Sequence, residues 1–110
     1  MAWCLSPQSG GNKIPTSQYE QWRTRVDAFA ENRSFQLSLR FKGHFCYVDV
    51  TESGETTPSP LCRLRYFSDN QWSMAFYTWS RERYEPCSLS TGQWQGSIEE
   101  TLTAATFLLN

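Results

Sequence analysis

The alternation of apolar and polar positions along the chain predicts two hairpins framed by two helices. Phe35, Leu37, Leu39 and Phe41 alternate with Gln36, Ser38, Arg40 and Lys42, the period-two pattern of a strand buried on one side. Gly43 marks a turn. With Lys42-Gly43 as the two turn residues, Phe41 faces His44, Leu39 faces Cys46, Leu37 faces Val48 and Phe35 faces Val50. Directly opposed residues share a face. Gln36, Ser38, Arg40, Phe45, Tyr47 and Asp49 then line the other side. A polar loop with two prolines spans residues 51–60. The second hairpin pairs Leu61 to Phe67 with Trp72 to Trp79 around Ser68-Asp69-Asn70-Gln71. With Asp69-Asn70 at its tip, Tyr66 faces Ser73, Leu64 faces Ala75 and Cys62 faces Tyr77. That set carries no charge and is assigned to the core. Arg63, Arg65, Phe67, Trp72, Met74 and Phe76 fall outside.

The flanking segments switch to the helical period. Tyr19, Trp22, Val26 and Phe29 recur at spacings of three and four, and Ser17 with Glu20 has the form of a capping box, which predicts a helix over 17–31. Ser97 with Glu100 repeats that form ahead of an Ile98, Leu102, Ala105, Leu109 stripe, predicting a second helix over 97–109. Residues 1–14, with Pro7, Gly10, Gly11 and Asn12, read as a flexible tail, and residues 15–110 as one domain. Residues 80–96 are mixed, with a short fifth strand near 85–89. The fold class is α+β: an antiparallel meander of four to five strands, with helices at both ends of the chain.

Composition narrows the function classes. The chain has 110 residues, which suits one domain able to bury its own core. Five Trp, five Tyr and seven Phe supply that core with large rings. A net charge of −1 argues against non-specific nucleic-acid binding, which needs an excess of Lys and Arg. The opening Met-Ala-Trp-Cys-Leu-Ser-Pro has neither a basic stretch nor a long apolar run, and no stretch approaches a membrane span. The expectation is a cytoplasmic protein with reduced thiols.

The segment from Pro60 onward also carries a family likeness. Leu61-Cys62-Arg63-Leu64-Arg65-Tyr66, Phe76-Tyr77-Thr78-Trp79-Ser80, Tyr84-Glu85-Pro86, Thr91-Gly92 and Gly96-Ser97-Ile98-Glu99-Glu100-Thr101-Leu102 stand in order. Over about residues 35–109 the chain resembles a group of small bacterial proteins of unknown function. That resemblance implies a compact bacterial cytoplasmic protein and brings no catalytic or binding residue with it.

Candidate chemistry is sparse. The one histidine, His44, sits at a predicted hairpin tip, and no nucleophile or phosphate-loop motif accompanies it. An enzyme of unknown class is therefore the third reading. His44, Cys46, Cys62 and Cys87 could supply a tetrahedral metal set, but they lack the close CxxC-type pairing of structural zinc sites, and buried cysteines more often act as small apolar groups. No cofactor is expected. The informative feature is the outer sheet face, where Arg40, Arg63 and Arg65 stand among Phe45, Tyr47, Phe67, Trp72, Met74 and Phe76. A solvated face should be mostly polar. Either residues 80–96 or the N-terminal helix cover it, or it is a site. Aromatic residues, Met and Arg are enriched at interface cores, so a protein partner or a second copy in a homodimer is the leading functional reading. Single-stranded nucleic acid, with bases stacked on rings and phosphates on arginines, is the alternative for the same face.

Overall fold

A computed structural model describes residues 10–107 and 109. The sheet runs β1 (Phe35–Lys42), β2 (Phe45–Glu52), β3 (Ser59–Ser68), β4 (Gln71–Thr78) and β5 (Arg83–Cys87), each antiparallel to its neighbour. A two-residue strand β6 (Gln95–Gly96) pairs with the start of β4, beyond the reach of β5. Helices α1 (Tyr19–Ala30) and α2 (Ile98–Thr106) pack on one face of this sheet. The expected α+β meander is therefore what the chain forms.

The first turn is Gly43-His44, not Lys42-Gly43. Gly43 has φ +62°, a conformation a side chain would oppose, so glycine takes the first turn position. Lys42 then pairs with Phe45, Leu39 with Val48 and Leu37 with Val50. This two-residue shift changes each partner but leaves every side chain on its expected face, because the sheet repeats every two residues.

The second hairpin differs more deeply. Its tip is as expected, with Ser68 paired to Gln71. The next pair is Tyr66 with Trp72, so Phe67 is an extra residue, a β-bulge. From there Leu64 pairs with Met74 and Cys62 with Phe76. A slip of one residue turns β4 over. Trp72, Met74 and Phe76 share the core face with Leu64 and Tyr66, and Ser73, Ala75 and Tyr77 lie on the opposite face, where Ser73 and Ala75 are also buried. Volume decides the matter: two large rings and a methionine bury far more apolar surface than a serine, an alanine and a tyrosine.

The bulge is held by the segment expected to be a loose tail. The Asn12 backbone N–H donates to the Tyr66 carbonyl at 2.8 Å, and Asn12 Nδ2 donates to the Phe67 carbonyl at 2.7 Å. Two residues on, Ile14 is fully buried and its N–H donates to the Gly43 carbonyl. Residues 10–14 are thus part of the fold, and the rest of the expected tail, residues 1–9, lies outside the described residues.

Rings dominate the core. Trp22 of α1 meets Trp72 edge to face at 5.1 Å and Tyr66 at 6.3 Å, and Tyr66 meets Trp72 at 4.9 Å. Both tryptophans are fully buried. Helix α1 therefore docks on the core face. It begins differently from the expected capping box. Pro15 starts a 3-10 turn at Thr16–Gln18, closed by the Gln18 N–H on the Pro15 carbonyl at 3.0 Å. Ser17 lies inside that turn, whereas a capping residue needs extended backbone, so no Ser17 cap forms. The second box does form: Ser97 Oγ accepts from the Glu100 N–H at 3.2 Å, and Glu100 Oε1 accepts from the Ser97 N–H at 2.8 Å. Arg25 and Glu99 tie the two helices with a two-pronged ion pair. The α2 helix ends at Thr106, so Leu109 of the expected stripe lies past it.

If Asn12 fixes the bulge, Asn12→Ala lowers stability by about 1 kcal/mol, the usual net value of one side-chain hydrogen bond. Urea unfolding followed by fluorescence measures this, and an unchanged midpoint would show that the bulge stands without Asn12.

Candidate functional site: an aromatic and arginine face

The sheet face opposite the helices is built by the strand pairing. Across one row, Arg40 of β1 lies beside Tyr47 of β2, Tyr47 beside Arg63 of β3, Arg63 beside Ala75 of β4, and Ala75 beside Pro86 of β5. Phe45 lies beside Arg65 in the next row, and Tyr77 beside Tyr84 on the other side. Cations thus alternate with rings across the sheet. Arg40 stands 5.0 Å over Tyr47, Arg63 stands 4.4 Å over Phe45 and 5.5 Å over Tyr84, and Arg65 stands 4.6 Å over Phe45. Each is a cation–π contact.

The rings also lean on one another. Tyr84 meets Tyr47 at 5.6 Å and Tyr77 at 5.1 Å, both edge to face, and Tyr77 meets Trp79 at 4.9 Å. Phe45, Tyr47, Tyr77 and Tyr84 are half-buried, while Trp79, just past β4, is 63% exposed. Helix α1 lies on the opposite face, and residues 83–87 extend the sheet as β5. Neither α1 nor β5 therefore covers these rings, and residues 10 and 11 lie against Arg65 and Phe67.

The arginines differ in their partners. Arg40 makes a two-pronged ion pair with Asp49, at 2.8 and 3.2 Å, which raises its pKa and fixes its charge. Arg65 is nearly buried and donates to the Gly10 carbonyl at 2.7 Å, and burial, then Arg63, lowers its pKa. Arg81 and Arg83 share Glu85. Arg63 has no hydrogen-bond or carboxylate partner among the described residues, and its plane is set by two rings. Burial, then Asp49, pushes the neighbouring Tyr84 phenol up, so it stays a neutral donor at physiological pH. Arg63, Arg83, Tyr84, Glu85 and Pro86 enclose an open groove of about 350 Å³.

Of the nine residues expected on this face, Arg40, Phe45, Tyr47, Arg63 and Arg65 lie there together. Trp72, Met74 and Phe76 do not; the bulge puts them on the core side, with Trp72 fully buried and Met74 2% exposed. Phe67 is the bulge residue, half-buried against Gly10. In their place the structure supplies Tyr77, Tyr84 and Trp79. The sequence held a signal for this, since Trp72, Met74 and Phe76 form a more apolar set than Ser73, Ala75 and Tyr77.

The four possible metal ligands do not converge. Among the described residues no three His, Cys, Asp or Glu side chains form a metal-binding group. Cys46 and Cys62 are fully buried in the core, His44 sits in the first turn with its ring against Phe45, and Cys87 is half-buried on β5. Burial pushes the Cys46 thiol up to about 12, raises Cys62 well above its ordinary range, and raises Cys87 as well. A metal or an electrophile needs the thiolate, which burial disfavours here.

Searches against protein-family models, curated proteins and solved structures returned no match to this chain. No described helix is long and apolar enough to cross a membrane.

The thiol geometry is directly testable. In a Cys4→Ser variant at pH 8, Cys46 and Cys62 react with a disulfide reagent only as the protein unfolds, and raising the pH to 9 leaves them protected. Rapid labelling of both in the native state would contradict the core placement.

Proposed function

We propose that this chain is a small non-enzymatic binding module, bacterial and cytoplasmic, that recognises an acidic protein segment through its aromatic and arginine face. The observation that carries this reading is Arg63. Its guanidinium is gripped between Phe45 and Tyr84, and its N–H groups have no acceptor among the described residues. A pre-positioned guanidinium with free donors suits a partner carboxylate, which it can bind in two-pronged fashion at little entropic cost. The groove beside it, walled by Tyr84 and Pro86, offers apolar contact to the same partner segment.

The ring geometry favours protein over single-stranded nucleic acid. Base stacking needs open ring faces. Here guanidinium groups lie over Phe45 and Tyr47, and the tyrosine rings pack edge to face against one another. The cations are also largely matched, Arg40 by Asp49 and Arg81 and Arg83 by Glu85.

Panning a random peptide library against the wild type tests the reading. Selected peptides carry an acidic residue, and Arg63→Ala weakens them about tenfold or more, the effect of losing one hot-spot arginine, while leaving the fold intact. Selection of neutral peptides indifferent to Arg63 would overturn it. Tight binding of oligonucleotides that falls steeply with salt would move the assignment to nucleic acid.

A further inference from the structure

The two edges of the sheet are unlike. Strand β5 is short, and it contains Pro86, whose nitrogen cannot donate. The register sets Pro86 opposite Ala75, a residue whose own backbone bonds run to Arg63 on β3, so the proline nitrogen points off the sheet. That edge is blunted against further pairing. Strand β1 is not. It is eight residues long, free of proline and bulges, and pairs with β2 alone.

The turn decides which β1 groups are open. Lys42 and Phe45 close the two-residue turn and bond reciprocally, so Lys42, Arg40, Ser38 and Gln36 aim their backbone groups at β2. The N–H and C=O groups of Phe35, Leu37, Leu39 and Phe41 therefore point off the sheet, and no strand takes them among the described residues. Grooves of about 330 and 230 Å³ run along this edge, with Arg23 and Asp27 of α1 and Glu31 just past its end forming the far wall.

The edge is charged oppositely at its two ends. Near the start of β1 lie Asp27, Glu31, Glu52 and Glu55; Arg33, the one cation there among the described residues, turns back onto Phe29, over its ring and onto its carbonyl. Near the end lie Arg40, Lys42 and Arg23, with Asp49 on Arg40 and Glu20 on Arg23. A surface of this kind complements itself when a second copy is laid against it in the opposite direction.

We propose that β1 pairs antiparallel with β1 of a second copy, about a two-fold axis at Ser38, so that one sheet runs through a homodimer. In this register Leu37 lies opposite Leu39 and Phe35 opposite Phe41, and all four outward-facing residues of each strand bond reciprocally. Gln36 lies opposite Arg40, which keeps like charges apart. Arg23 and Asp27 flank Leu37, Ser38 and Leu39 in one groove, so the axis brings Arg23 of each copy toward Asp27 of the other. A one-residue slip would turn one copy's apolar face to solvent. The aromatic face stays open on both copies, giving a bivalent surface.

Ser38 is exposed and its side chain lies on the axis, so a charge there meets its own copy without touching the core. Sedimentation equilibrium of the wild type should show a reversible dimer. Ser38→Lys and Ser38→Glu should each weaken it about fivefold, and mixing the two variants should restore association as a heterodimer. A wild type that stays monomeric up to concentrations on the order of 1 mM overturns the proposal. So does a dimer that ignores both charges, or one that Arg63→Ala dissolves, which would place the contact on the aromatic face.

Discussion

One extra residue in β3 organises this molecule. At Phe67 the pairing of β3 with β4 slips by one, and every side chain of β4 changes sides. Without that slip, Trp72 and Met74 would stand in solvent and the nest of Trp22, Tyr66 and Trp72 would not exist. The slip also sends Tyr77 outward, where it meets Tyr84 and completes the ring cluster around Arg63. Core and candidate site are two consequences of one backbone irregularity. Asn12 bonds to the carbonyls on both sides of it, so a stretch ahead of the first helix helps set the register of a hairpin more than fifty residues further on.

Much of the fold was legible because it follows from local chemistry. The alternation in β1 and β2, the Asp69-Asn70 tip, the stripe of α1 and the Ser97–Glu100 cap each rest on a few neighbouring residues, and each formed. What failed was non-local or depended on competition. The turn residues in the first hairpin differ by one position because Gly43 fits a positive φ at the first place. The expected Ser17 cap lost to Pro15, which starts a tighter turn two residues earlier. The β4 face was misread because counting from the tip assumes an unbroken ladder. Burial of the larger side chains decides instead, and a bulge makes that burial possible. The site inherited the error: Arg40, Phe45, Tyr47, Arg63 and Arg65, all ahead of the bulge, share the expected face, and every misplaced residue lies at or beyond it.

The surface logic is one of contrasts. On the outer face Arg40 is answered by an acid and Arg65 by a carbonyl, and among the described residues Arg63 is answered by rings alone. At the edges, β5 carries Pro86, and β1 presents a row of backbone groups that no strand takes among the described residues. In both places a pre-positioned set of donors or acceptors stands without a protein partner among the described residues. Buried or fixed polar groups without partners are costly, so such spots mark where binding returns the most. Cys46 and Cys62 follow the opposite rule, buried in the core, where burial favours the protonated thiol.

The measurement that tests this account most directly is the pattern of cross-strand Hα–Hα NOEs between β3 and β4. Residues opposed without reciprocal hydrogen bonds bring their α-protons closest. The slipped register predicts strong NOEs from Leu64 to Met74 and from Tyr66 to Trp72. Strong NOEs from Phe67 to Trp72 and from Arg65 to Met74 would mean an unbroken ladder, with Trp72 and Met74 turned out to solvent, and would contradict both the core and the face described above.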